Sequence, residues 1–159
     1  MIIDWRRSDD PGVVRLAAAQ QAELRILAPH PDDVVYPLHD DIDFAVGVID
    51  GVPVACGALQ RLDRREAEIK RMYVIPDHRG AGLARLIIGA IEDRAITEGF
   101  ATLRLETGVT YDRAIRLYTG AGYRRTHTYA EYIGNPNSAC FAKRLPAAAV
   151  LTAATATFA

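Results

Sequence analysis

The sequence predicts an α/β (α+β) domain in which a mixed, mostly antiparallel sheet of about six to seven strands is flanked by helices. Three observations carry the prediction. Asp50-Gly51 separates two β-branched apolar runs, 44–49 and 52–62, which is a hairpin signature. An alternating run over 68–75 precedes a helical stripe of Leu83, Leu86, Ile87, Ala90, Ile91 and Ala95. Another strand-like run, 102–106, follows that stripe, so an antiparallel meander leads into a βαβ unit.

Composition narrows the class. The 159 residues suit one compact domain, expected over 1–146. Half of them are hydrophobic, a quarter are charged, and the formal net charge is -1. No run of Lys and Arg exists, so neither nucleic acid nor a membrane surface is an expected partner. Charges at Asp4, Arg6 and Arg7 interrupt the apolar stretch a signal peptide needs. No apolar run approaches the roughly 18–20 residues of a membrane span. The expectation is a soluble, cytoplasmic protein. Cys56 and Cys140 lie in apolar runs and read as buried, reduced thiols. His30, His39, His78 and His127 show no ligand spacing, so no metal site is expected.

The remaining elements follow in order. Residues 2–6 read as a strand. Ser8-Asp9-Asp10-Pro11 marks a helix start, with a side-chain cap and Pro in the first turn. That helix runs to about Leu27, where Pro29, Pro31 and Pro37 break it into a loop carrying Tyr36, His39, Asp40 and Asp41. Gly99 is placed to stop the second helix. Residues 112–121 form a short helix ended by Gly122, and 123–133 and 139–145 read as two late strands. The tail, 147–159, is uncharged and rich in Ala and Thr. Exposed, it is an aggregation hazard, so it either extends as a disordered segment or packs on the domain or on a second subunit, a possible homodimer.

The strand-turn-helix over 67–84 carries the chemistry. Glycines stand in the first turn of an amphipathic helix, where unpaired N–H groups and the helix dipole attract an anion and a missing Cβ permits close approach. A P-loop needs Lys and then Ser or Thr after the last Gly, and Leu83-Ala84 fails that. A dinucleotide fingerprint needs a small residue at 85, where Arg85 stands. The pattern Arg/Gln-x-x-Gly-x-Gly/Ala is met in full by Arg79-Gly80-Ala81-Gly82-Leu83-Ala84.

With Lys70-Arg71-Met72-Tyr73-Val74 and Pro76 upstream, and Ala114-Ile115-Arg116-Leu117-Tyr118 and Gly122-Tyr123 downstream, the sequence resembles the GNAT superfamily of acyl-CoA N-acyltransferases over roughly 2–145. The resemblance implies a splayed sheet and acetyl-CoA as cofactor. It implies that the pyrophosphate rests on the amides of Arg79, Gly80, Ala81, Gly82, Leu83 and Ala84. It places the pantetheine arm along the main chain of Met72, Tyr73 and Val74, a strand that usually bears a bulge.

The implied reaction is direct acetyl transfer to a primary amine of a small molecule, such as an amino acid or polyamine. An amine near pKa 10.4 is neutral in only about one molecule per thousand at pH 7.4, so a general base helps, and a general acid helps the departing thiolate. Tyr118 matches the family tyrosine near the CoA sulfur and is the candidate acid. Glu68 matches a strand position where several members carry a catalytic glutamate and is the first candidate base. Glu106 ends the next strand near the cleft, as an ammonium ligand or an alternative base. A backbone N–H near 72–74 is the expected oxyanion donor. Tyr111 stands where many relatives have Asn, so that role is not carried over. The acceptor is expected to meet Tyr36, His39, Glu106, Glu131 and Tyr132, with Tyr129, Asn135 and Ser138 nearby. Rival readings are a CoA sensor without turnover, disfavoured by Tyr118, and a protein or peptide N-acetyltransferase, disfavoured by the lack of an obvious docking extension.

Overall fold

The structure is a computed structural model that describes residues 1–27 and 42–148. Tyr36, His39 and most of the tail lie outside the described residues. The chain runs β1 (Ile2–Arg7), α1 (Pro11–Leu27), β2 (Asp43–Ile49), β3 (Val52–Arg61), β4 (Glu66–Val74), α2 (Leu83–Thr97), β5 (Thr102–Gly108), α3 (Asp112–Gly120), β6 (Arg124–Thr126) and β7 (Ser138–Arg144). One seven-stranded sheet has the order β1-β2-β3-β4-β5-β7-β6. β4 and β5 pair in parallel, and every other neighbouring pair is antiparallel. That is the mixed, mostly antiparallel sheet the sequence predicts.

Local chemistry explains the element boundaries. Asp10 Oδ1 accepts the N–H groups of Gly12 and Val13 at 2.8 and 3.2 Å, capping α1 while Pro11 occupies its first helical position. Asp50 and Gly51 take φ of 49° and 77°, the doubly positive turn that matches strand twist. Gly82, at φ 78°, opens α2.

The expected strand over 123–133 is shorter than its alternation suggests. Only Arg124–Thr126 pair with β7, and Ala130–Tyr132 form a 3-10 turn. Tyr129 and Tyr132, one turn apart, both fold inward beside Cys140. The chain buries these two aromatic rings on the sheet instead of extending the edge ladder.

The sheet separates two cores. On one face α2 and α3 cover Leu59, Ala67, Ile69, Leu103, Leu105 and Phe141. On the other, α1 covers Phe44, Val46, Cys56 and Ala58, and the Tyr129–Tyr132 turn covers the β5–β7 side. Cys56 and Cys140 are free, buried thiols, as expected, and burial pushes the Cys56 thiol up to about 12. No helix among the described residues is long and apolar enough to cross a membrane.

Candidate active site

The site begins with a break in strand pairing. Cys56 stands opposite Tyr73 and Ala58 opposite Lys70, so Gly57 alone faces both Arg71 and Met72. This is a β-bulge, and Arg71 adopts φ 55° to make it. A Cβ at residue 57 would lie 2.4 Å from Met72 Sδ and 2.9 Å from both Ile87 and Ile91, so only Gly admits the Met72 side chain there. The bulge swings β4 away from β5. Their pairing runs from Glu66–Thr102 to Ile69–Leu105 and stops, although both strands continue.

The strand edge past Ile69 is therefore open. Ile75 N–H reaches the Val54 carbonyl on β3 at 2.9 Å, so by alternation Val74 and Met72 turn their backbone groups to the open side. Two side chains hold the carbonyls there: Arg79 Nε donates to Val74 O at 2.8 Å and Gln20 Nε2 donates to Met72 O at 2.9 Å. The edge thus offers N–H donors at Met72 and Val74, suited to the carbonyl groups of an amide-bearing arm.

Beyond the strand, Pro76–His78 form a 3-10 turn that leads into Arg79–Ala84. Gly80 and Gly82 take φ of 82° and 78°, and nothing lies within 4 Å of where a Cβ would sit on either. Gly82, at the N-cap, has no side chain with which to cap the start of α2. The bare turn and the uncapped N–H groups fit a pyrophosphate. The Arg79 side chain has a different task from its backbone. Its Nη2 meets Glu23 Oε2 at 2.6 Å and its guanidinium lies 5.5 Å from the Tyr73 ring centroid. It braces turn, strand and α1 together, and its hydrogen bond lowers the Glu23 pKa.

Charged groups gather where the strands part. Glu68 is 1% exposed, and its Oε1 accepts the Tyr132 hydroxyl at 2.6 Å. Lys70 Nζ lies 3.0 Å from Glu131 Oε1 and 3.9 Å from Glu68 Oε2. Glu106 Oε1 accepts the Ser138 hydroxyl at 2.7 Å. Burial raises the pKa of both Glu68 and Glu106, opposed by the Tyr132 and Ser138 hydroxyls respectively and by Lys70. Tyr118 is buried on the α3 side. Its pKa is raised, first by burial and then by the charge of Glu106. Tyr118 therefore keeps its proton at neutral pH and lies close enough to Glu106 to feel its charge.

The structure thus brings together Glu68, Glu106, Glu131, Tyr132 and Tyr118, all named from sequence. Tyr111 precedes α3, with its ring against Gly108 at the end of β5. Sequence reasoning missed Gln20 and Glu23, which act across long separations, and the role of Lys70. A signal for Lys70 was present: Glu68 and Lys70 are opposite charges two residues apart, hence on one face of a central strand.

Comparison with known proteins agrees with this geometry. The acetyltransferase (GNAT) family model matches residues 5–123. The "Uncharacterized N-acetyltransferase YsnE" of Bacillus subtilis is 36% identical over 92 residues, 57% of this chain and 61% of that protein. The "IAA acetyltransferase" of Azospirillum brasilense is 36% identical over 106 residues, 66% of this chain and 69% of that one. A Klebsiella pneumoniae structure assigned as an acyl-CoA N-acyltransferase is 31% identical, with a TM-score of 0.79 over 91% of this chain and 97% of that one. The chain belongs to the acetyltransferase (GNAT) family, whose acyl donor is acetyl-CoA.

Proposed function

We propose that the protein transfers the acetyl group of acetyl-CoA directly to a primary amine of a small molecule. The observation that carries this reading is the parting of β4 and β5 beyond Ile69 and Leu105, with Glu106 the next residue on β5 and Tyr118 within range of its charge. Bound acetyl-CoA supplies an activated thioester, whose carbonyl carbon the amine attacks as the carbon–sulfur bond breaks. Met72 and Val74 offer N–H groups to the arm and to the acyl oxygen. Glu106, oriented by Ser138, binds the incoming amine. Glu68 takes its proton through the Tyr132 hydroxyl, which already donates to Glu68 and relays without holding charge. The raised pKa of Glu68 suits a proton acceptor for an amine. Tyr118, protonated and buried, donates a hydrogen bond to the departing sulfur. Full transfer from so weak an acid to a thiolate of ordinary pKa near 8.5 runs uphill.

Three carboxylates, Glu68, Glu106 and Glu131, surround the one ammonium of Lys70 among these groups, which favours a cationic acceptor. The decisive experiment measures thiol release from acetyl-CoA across amino acids, polyamines, aminoglycosides and peptides. Release stimulated by one of the small amines is expected. Stimulation by peptides alone, or by no acceptor, refutes the proposal.

A further inference from the structure

Among the described residues, five buried side-chain nitrogen or oxygen atoms have no hydrogen-bond partner in the protein, and four of them share one place. These four are Gln60 Oε1 on β3, Glu68 Oε2 on β4, Arg104 Nη1 on β5 and the Tyr129 hydroxyl. The sheet register explains their meeting. Gln60 stands opposite Glu68, and Glu68 stands opposite Arg104, so three adjacent strands present them in one row on one face. Tyr129 lies over the row, its ring centroid 5.2 Å from the Arg104 guanidinium and 5.2 Å from the Tyr132 ring. Gln60, Glu68 and Tyr129 are 5%, 1% and 9% exposed.

The other polar atoms of Glu68 and Arg104 are committed elsewhere. Glu68 Oε1 holds Tyr132, while Arg104 Nε and Nη2 grip both oxygens of Glu66 at 2.6 and 3.0 Å. The four remaining atoms are chemically complementary. Gln60 Oε1 and Glu68 Oε2 accept, Arg104 Nη1 donates, and the Tyr129 hydroxyl does either. The Tyr129 hydroxyl is close enough to Glu68 to favour its charged form, but its geometry falls outside that of a well-formed direct hydrogen bond. Isolated polar atoms are costly to bury, and their convergence is the setting in which an internal water makes about three hydrogen bonds. A metal cation does not fit, because Arg104 would point a positive N–H at it.

We propose that Gln60, Arg104 and Tyr129 hold a buried water molecule against Glu68 Oε2 and act as positioning residues for that carboxylate. The water accepts from Arg104 Nη1 and from Tyr129, and donates to Glu68 Oε2 and Gln60 Oε1. It couples the fixed charge of Arg104 to Glu68 without a direct ion pair. The other titratable groups around Glu68 are Lys70 on its own strand, Glu131 and Tyr132 from the 3-10 turn, Glu106 on β5 and Cys140 on β7. The water site stands on geometry alone, and its kinetic consequence rests on the reading of Glu68 as proton acceptor.

Two measurements test the proposal together. A crystal structure of the full chain, at a resolution that shows ordered water, should place a water within about 3.2 Å of Glu68 Oε2 and of at least two of the other three atoms. Gln60→Met and Tyr129→Phe should each move the acid limb of the kcat/KM profile to higher pH, by about half a unit or more, a threefold change in proton concentration. Each variant must match the wild-type circular dichroism spectrum. A dry site, or direct bonds among the four atoms, overturns the water. Ordered water with unshifted profiles overturns the positioning role, provided Glu68→Gln abolishes the acid limb. If Glu68→Gln leaves that limb intact, the proton-acceptor reading fails, and the crystallographic result alone decides the water site.

Discussion

Replacing Tyr132 with Phe removes one oxygen and almost no volume, so its effect isolates the hydrogen bond to Glu68. That bond is 2.6 Å long and joins two buried side chains. A hydrogen bond to a charged group contributes about 1.5–3 kcal/mol, and one between neutral groups about 0.5–1.5 kcal/mol. The loss on substitution therefore depends on whether Glu68 carries a charge. The Glu68 pKa is raised in the folded protein from the ordinary 4.5, mainly by burial. With this sign, the stability Glu68 contributes is fully present below 4.5 and is lost as pH rises through the folded value. Tyr132→Phe widens that loss, because removing a hydrogen bond that favours the charged form raises the folded pKa further. The variant should be less stable than wild type by about 1.5–3 kcal/mol at pH 8 and by about 1 kcal/mol at pH 4. For a chain of this size the loss at pH 8 corresponds to a fall in Tm of about 3–12 °C. Urea denaturation of both proteins from pH 4 to 8 measures the difference directly. A deficit that stays flat across this range would mean that Glu68 never ionises in the folded state, refuting both the argument and its role as base.

Other outcomes follow from the same geometry. Tyr118→Phe should lower kcat by about ten- to a hundredfold, through loss of its hydrogen bond to the departing sulfur, while leaving acetyl-CoA affinity nearly unchanged; equal rates would remove that role. Gly57→Ala sets a methyl group against Met72, Ile87 and Ile91, so it should destabilise the protein by about 1–3 kcal/mol and weaken CoA binding through the displaced bulge. Unchanged melting and affinity would show that the bulge does not depend on Gly57. Glu23→Gln breaks a half-exposed pair worth about 0–1 kcal/mol, so stability should barely change, whereas calorimetry should show a several-fold loss of CoA affinity as Arg79 slackens the turn. A gain in affinity would mean that the released Arg79 reaches the phosphates instead.

Much of this molecule was legible in the sequence where residue type and backbone demand coincide. Asp50-Gly51 named its hairpin because both positions need positive φ, and Gly80 and Gly82 marked the bare turn for the same reason. The bulge itself was not visible in residue type. Arg71 occupies the left-handed region without being Gly or Asn, and what permits it is Gly57 on the neighbouring strand. The Arg79 motif gave the place of the phosphate turn but not the direction of its side chain, which Glu23 decides from 56 residues away. The late region misled because its alternation reads as an edge strand, whereas Tyr132 turns inward to reach Glu68, 64 residues distant. Pairings of that kind depend on strand order, which no local pattern encodes.

The central claim is that one opening between β4 and β5 holds the cofactor and delivers its acetyl group beside Glu106. A crystal structure of the protein with CoA bound tests it most directly. The account predicts the pyrophosphate on the amides of Arg79–Ala84, the pantetheine arm along Met72–Val74, and the sulfur within reach of Tyr118. CoA bound at any other face, or a β4–β5 gap closed by direct strand pairing, would contradict it.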